Sequence, residues 1–164
     1  MKTFPGPGGE PLALWLMTVG LGAFLALIAW HDLRTLRIPD VWSLPLVGLG
    51  LALAYVMPVP MPSDRVIGAL AGYLTFALIG HLYFHHRGVE GLGLGDAKLF
   101  GAAGAWLGWQ ALPGVLLIAS ISGLALAALS SIRGRKCQAI AFGPMLCLGF
   151  WVGWLVQVFD LRLF

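Results

Sequence analysis

Residues 11–30 read PLALWLMTVGLGAFLALIAW, a run without one charged side chain. About 20 apolar residues in a helix are needed to cross the hydrocarbon core of a bilayer. The run also lacks the alternation of a membrane β-strand, and a helix satisfies its own backbone hydrogen bonds in lipid. These residues therefore predict a transmembrane helix, and they indicate the fold class of the chain.

The rest of the sequence repeats this pattern. Of the 164 residues, 59% are hydrophobic and only 10% are charged, against about 25% charged residues in a typical soluble domain. We predict an all-α, polytopic membrane helix bundle of about six transmembrane helices in one domain, residues 1–164, with residues 1–10 as a flexible N-terminal segment. The predicted spans are 11–30, 41–58, 65–84, 97–112, 113–132 and 139–159.

Small and helix-breaking residues refine this prediction. The stripes 101–105 and 123–128 are rich in Gly and Ala, which predicts close packing of neighbouring helices. Pro113-Gly114 predicts a tight turn between the fourth and fifth spans, and Gly143-Pro144 predicts an interruption of the sixth helix.

Basic residues are shared unequally between the two sides of the predicted bundle. The loops after spans one, three and five carry seven of them: Arg34, Arg37, Arg87, Lys98, Arg133, Arg135 and Lys136. The other side, with both termini, carries only Lys2, Arg65 and Arg162. Because cytoplasmic loops are enriched in Lys and Arg, we expect these loops in the cytoplasm and both termini outside. The net charge of +3 reflects this bias, and we predict no nucleic-acid partner.

Two acidic side chains stand at the predicted cytoplasmic boundary. Asp32 lies at the carboxyl end of the first helix, where the helix dipole disfavours a negative charge and offers no capping role. Asp96 follows the run Gly91-Leu92-Gly93-Leu94-Gly95, whose glycines permit unusual dihedrals and close approach of another main chain. A carboxylate is costly to remove from water without a partner or a function. The pair therefore indicates acid–base work on a peptide bond.

A structural role is the alternative for some of these residues. Asp40 follows Pro39 at the start of the second span, where a carboxylate can cap free backbone N–H groups, and this interpretation leads for Asp40. The same capping role is the alternative for Asp96, with Lys98 as an anchor at the membrane interface.

Metal binding has little support in the sequence. His81, His85 and His86 cluster at the inner end of the third span, yet no His-Glu-x-x-His pattern accompanies them. Cys137 and Cys147 form no paired zinc motif. We predict neither a metal nor a cofactor.

Three ordered motifs resemble those of prepilin peptidases, the type IV leader peptidases, which are intramembrane aspartyl proteases of the Gly-x-Gly-Asp class. The motifs are Asp32 with Ile38-Pro39-Asp40, then Gly93-x-Gly95-Asp96-x-Lys98 with residues 104–109, and finally Phe142-Gly143-Pro144. The resemblance covers most of residues 20–155. It implies a six-helix peptidase in the bacterial cytoplasmic membrane that removes the short basic leader of prepilins or pseudopilins at the cytoplasmic face.

The resemblance also implies roles for individual residues. Asp32 and Asp96 would be the catalytic pair, activating a water molecule as base and acid without a covalent intermediate. The residues expected around the substrate are Gly93, Gly95, Lys98, Phe142, Gly143 and Pro144. We expect the glycines of residues 91–95 to accept a locally unwound substrate backbone. Longer family members carry a segment with two Cys-x-x-Cys pairs, associated with methylation, so this sequence resembles the short, peptidase-only form.

Two other classes of protein stay as alternatives. Intramembrane acids bind cations or relay protons in small transporters, although both acids here lie on one face and no inverted pair of broken helices is evident. A non-catalytic scaffold for pilus or secretion assembly would suit the tryptophan-rich surface. The sequence specifies neither a particular precursor nor an oligomeric state.

Overall fold

The computed structural model describes residues 11–57, 60–88, 93–132 and 141–159. Within these ranges the chain forms no strand, and the all-α prediction is confirmed. The predicted flexible segment 1–10 lies outside the described residues. The helices are α1 (Pro11–Thr35), α2 (Asp40–Ala52), α3 (Pro62–Arg87), α4 (Leu94–Leu107), α5 (Leu112–Ile132) and α6 (Gly143–Val158), with short 3-10 turns at Leu53–Tyr55 and Trp109–Ala111.

The helices that correspond to the six predicted spans differ in length. In the described part of the chain, three segments are long and apolar enough to cross a membrane: Leu12–Thr35, Pro62–His86 and Trp109–Ser130. Helix α4 has 14 residues, or about 21 Å at the helical rise per residue, which is less than the roughly 30 Å of a hydrocarbon core. The predicted fourth span, 97–112, is therefore a shorter helix that ends at Leu107.

Helix α4 lies at the centre of the bundle. It packs against α2, α3, α5 and α6, whereas α1 packs mainly on α6. Every residue from Leu99 to Leu107 is buried, as expected for a helix that is apolar on all sides and surrounded by other helices. Asp96, in the first turn of α4, is half-buried at one end of this central helix.

The predicted glycine and alanine stripe 101–105 allows the closest contact between helices. A Cβ atom on Gly104 would overlap the backbone carbonyl of Gly68 in α3, so only glycine permits this approach. The stripe 123–128 is used differently. A Cβ atom on Gly123 would make only ordinary contacts, the nearest at 3.8 Å.

Two predictions about turns are wrong. Pro113-Gly114 lies in the first turn of α5, where a proline loses no helical hydrogen bond through its missing N–H. The chain turns earlier, at Gly108, whose φ of 80° suits glycine. Gly143-Pro144 does not interrupt a helix either, because α6 begins at Gly143.

Arg65 joins three segments at the end of the bundle away from Asp32. Its side chain is fully buried, and Nη1 lies 2.9–3.2 Å from the carbonyl oxygens of Gly50, Ala105 and Trp106, while Nε donates to Pro60 O at 3.2 Å. Carbonyls at the ends of α2 and α4 are thereby satisfied by a cation. Arg65 is thus a structural residue of the bundle and not a free loop charge.

Candidate active site

The two predicted acids, Asp32 and Asp96, line one cavity of about 490 Å³. Asp32 comes from the last turn of α1, and Asp96 from the first turn of α4. The residues that line the cavity are Asp32, Leu36, Arg37, Ile38, Phe76, Ala77, Gly80, His81, Phe84, Gly93, Leu94, Gly95 and Asp96.

Asp32 is stabilised by the start of another helix. Its side chain is buried, with 5% exposed, and the N–H of Gly143 donates a hydrogen bond to Oδ2 at 3.1 Å. Gly143 is the first residue of α6, so the positive end of that helix dipole faces the carboxylate. The end of α1 disfavours a negative charge, and α6 compensates for it.

Asp96 has a different environment. The N-cap of α4 is Gly93, and no side chain caps this helix, so the capping alternative for Asp96 is wrong. None of the hydrogen bonds found among the described residues involves its carboxylate. The Asp96 side chain is therefore available to the cavity and to Asp32.

Asp40 and Lys98 form an ion pair between α2 and α4. Asp40 is the first residue of α2, but the N-cap is Pro39 and no side chain caps the helix. The predicted cap is therefore wrong, although the role of Asp40 is structural. Neither partner lines the cavity, so the structure places Lys98 beside Asp40 and gives no support to a substrate contact.

The predicted glycines of the second motif border the cavity. Gly93 and Gly95 both line it, while Gly91 and Leu92 lie outside the described residues. A Cβ atom on Gly95 would lie 2.9 Å from Cβ of Ile38. Glycine at 95 thus lets the loop between α1 and α2 pack directly against the start of α4.

The third motif lies behind the cavity. Phe142 is the N-cap of α6, and its ring centroid is 6.2 Å from that of Phe76, which lines the cavity. Gly143 contacts Asp32 as described, and Pro144 lies in the first turn of α6. None of the three lines the cavity. Direct contact of these residues with a substrate stays a prediction.

The model of the type IV leader peptidase family matches residues 19–128, a range that includes both acids. This chain belongs to the type IV leader peptidase family. No solved structure matches it.

Curated relatives of the leader peptidase family share the name prepilin leader peptidase/N-methyltransferase. The protein of Burkholderia pseudomallei (strain 1026b) is 42% identical over 146 residues, which cover 88% of this chain and 46% of the relative. That of Pectobacterium carotovorum subsp. carotovorum is 38% identical over 154 residues, covering 92% and 54%. That of Escherichia coli (strain K12) is 44% identical over 133 residues, covering 77% and 56%. The chain spans about half the length of these relatives.

Sequence reasoning missed the wall of the cavity formed by α3 in this leader peptidase family member. Phe76, Gly80 and Phe84 recur at every fourth position, so they share one helix face. That spacing of large and small residues was the available signal. His81, considered above only as a metal ligand, also lines the cavity. No group of three or more potential ligands that could hold a metal occurs within the described ranges.

Proposed function

We propose that this family member is an intramembrane aspartic endopeptidase that removes the short basic leader from type IV prepilins or pseudopilins. Asp32 and Asp96 are its catalytic pair. The observation that most supports the proposal is that these two carboxyl groups, from different helices, border one cavity. The names of the relatives support the substrate class.

The proposed chemistry needs only the two acids and a water molecule. One carboxylate takes a proton from the water, and the water oxygen forms a bond to the scissile carbonyl carbon. The other carboxyl group donates a proton as the C–N bond breaks, so that a carboxyl and an amino terminus result. Steps of this kind typically contribute about 10²–10⁴-fold each, and positioning contributes further. The bond from Gly143 N–H fixes the orientation of Asp32.

The cavity leads from the buried Asp32 and the half-buried Asp96 towards the surface along α3. Phe76, on its inner part, is 4% exposed, whereas Phe84 is 51% exposed. We expect a peptide to reach the acids in an extended form, past Gly93 and Gly95, which both line the cavity. A Cβ atom on Gly93 would have no neighbour closer than 3.9 Å, so this glycine leaves room for the main chain of a substrate.

The distribution of charge supports cleavage at the cytoplasmic face of the bacterial membrane, with both termini outside. The loops on the side of the acids carry most of the basic residues. Arg65, counted above on the opposite side, is buried among carbonyl groups. Of the basic residues counted on the opposite side, only Lys2 and Arg162 then remain as loop or terminal charges.

Cleavage of a purified prepilin by the chain in lipid vesicles tests the proposal. We expect Asp32→Asn and Asp96→Asn each to lower kcat/KM by at least about 10³-fold, since each removes one half of the acid–base pair. Sequencing of the product's amino terminus would give the cleavage site.

Asp64→Asn is the matched control for both variants. Asp64 lies in the first turn of α3, at the other end of the bundle, and accepts a hydrogen bond from Trp109 Nε1 at 3.1 Å. An asparagine keeps an acceptor oxygen, so we expect activity within about twofold of wild type. Wild-type rates in either Asp32→Asn or Asp96→Asn would contradict the proposed catalytic pair. Absence of cleavage by the wild-type chain would favour the transporter or scaffold alternative.

A further inference from the structure

The chain leaves α1 through a left-handed residue that is not glycine. Leu36 has a φ of 53° and is the one such residue in the described ranges. Its N–H donates to Asp32 O at 2.8 Å, which is the hydrogen bond of a helix that ends in the left-handed conformation, a position usually taken by glycine. Leucine is strained there because its Cβ crowds the backbone. Contacts around Leu36 must therefore hold the chain in place.

Two side chains hold the carbonyl group that follows Leu36. Nδ1 of His31 and Oγ1 of Thr35 each lie 3.1 Å from Arg37 O, and they lie 3.0 Å from each other. Because a carbonyl oxygen only accepts hydrogen bonds, His31 makes this contact with a proton on Nδ1. We call His31, Thr35 and the Arg37 carbonyl the loop latch.

Ile38 follows the loop latch and contacts the two glycines next to the acids, Gly95 beside Asp96 and Gly143 beside Asp32. Ile38 is buried. A Cβ atom on Gly95, next to Asp96, would lie 2.9 Å from Ile38 Cβ, and one on Gly143, the donor to Asp32, would lie 3.1 Å from Ile38 Cδ1. Ile38 is therefore wedged between the starts of α4 and α6. Its position sets the distance between the start of α4, which carries Asp96, and the start of α6, which donates to Asp32.

We propose that His31 and Thr35 are positioning residues for the reaction. The loop latch holds Leu36 in its left-handed conformation, which fixes Ile38 and, through Ile38, the spacing of Asp32 and Asp96. The inference deepens the proposed peptidase function and rests on it. Neither latch side chain lines the cavity, although Leu36, Arg37 and Ile38 do. We therefore expect loss of the loop latch to lower kcat more than it changes KM.

Variants at Thr35 test this role. Thr35→Val keeps the shape of the side chain and removes the hydroxyl group, so we expect kcat to fall about tenfold and KM to stay within about twofold. Thr35→Ser keeps the hydroxyl group, and we expect kcat within about twofold of wild type. Glycine accepts the left-handed conformation without strain, so Leu36→Gly added to Thr35→Val should recover most of kcat.

Thr75→Val is the matched control. Thr75 Oγ1 donates to Ala71 O at 2.7 Å, one helical turn earlier. The single hydroxyl proton of Thr35 is shared between His31 O at 2.9 Å and Arg37 O at 3.1 Å. Thr75 is not part of the loop latch and does not line the cavity. We expect its kcat to stay within about twofold of wild type.

Hydrogen exchange at the Leu36 amide reports on the loop latch without cleavage. We expect exchange about tenfold faster in Thr35→Val and unchanged in Thr35→Ser, because the end of α1 opens more often once the latch is lost. A wild-type chain that cleaves no prepilin would contradict the proposed function. A cleaving wild type whose Thr35→Val variant keeps both its kcat and its Leu36 exchange rate would overturn the loop latch alone.

Discussion

The backbone N–H of Gly143 donates a hydrogen bond to Asp32 Oδ2 at 3.1 Å, and the same glycine leaves the space that this carboxylate occupies. A Cβ atom at position 143 would lie 2.5 Å from Oδ2 and 2.9 Å from Cγ of Asp32. The third sequence motif thus acts on the first through a contact of main chain with side chain. A methyl group there would displace the acid.

Gly143→Ala should therefore impair catalysis more than folding. We expect kcat/KM to fall about 10²-fold, since displacing a reacting group by about 1 Å has this effect. Cleavage assays and thermal unfolding in detergent would measure the two properties. Gly48→Ala is the control, because nothing lies within 4 Å of a Cβ atom at that helical position. Full activity in Gly143→Ala would show that the contact does not hold Asp32 in its working position.

The contact between α3 and α4 depends on Gly104. Gly104→Ala places a methyl group against the rigid backbone of Gly68, and we expect it to lower the free energy of unfolding by about 1–3 kcal/mol. Gly123→Ala, whose new Cβ atom would make only ordinary contacts, should change it by less than about 0.5 kcal/mol. Reversible unfolding in mixed micelles would measure both. Equal stabilities of the two variants would contradict the close packing.

The Asp40–Lys98 ion pair is predicted to be a weak structural link. The side chains are 59% and 21% exposed, so we expect a coupling of about 0.2–1 kcal/mol that decreases with added salt. A double-mutant cycle of Asp40→Asn and Lys98→Met would measure it. Each variant should keep most of the proposed peptidase activity. A large loss of activity in Lys98→Met alone would instead favour the predicted contact of Lys98 with the substrate.

Arg65 is expected to contribute strongly to stability. Arg65→Met leaves buried carbonyl oxygens, among them Ala105 O and Trp106 O, without their charged donor, and we expect unfolding to become easier by about 3 kcal/mol. Arg34→Met is the control. Arg34 lies 4.3 Å from the ring centroid of Trp30 at the surface, where such a contact contributes about 0.5–1 kcal/mol. Similar free energies of unfolding for Arg65→Met and Arg34→Met would contradict the structural role of Arg65.

Much of the fold could be predicted from local patterns. Long apolar runs indicate membrane helices because each residue's transfer from water to lipid depends little on its distant neighbours. The glycine and alanine stripe 101–105 also indicated close packing, since small side chains can be recognised directly in the sequence. Turn positions were predicted less well. Pro113 lies in the first turn of α5 instead of preceding the helix, because proline is compatible with both a turn and the first helical turn.

The amino-acid order therefore suffices for the helical class, for the choice of Asp32 and Asp96 as the acids of interest, and for their placement at one end of the bundle. It leaves unspecified what surrounds them. Three contacts join residues from different parts of the fold: Ile38 between Gly95 and Gly143, the hydrogen bond from Gly143 to Asp32, and Arg65 among carbonyl groups. Such contacts depend on how the helices pack, and packing depends on the shapes of all partners at once. Hydropathy describes one segment at a time, so it carries no information about them.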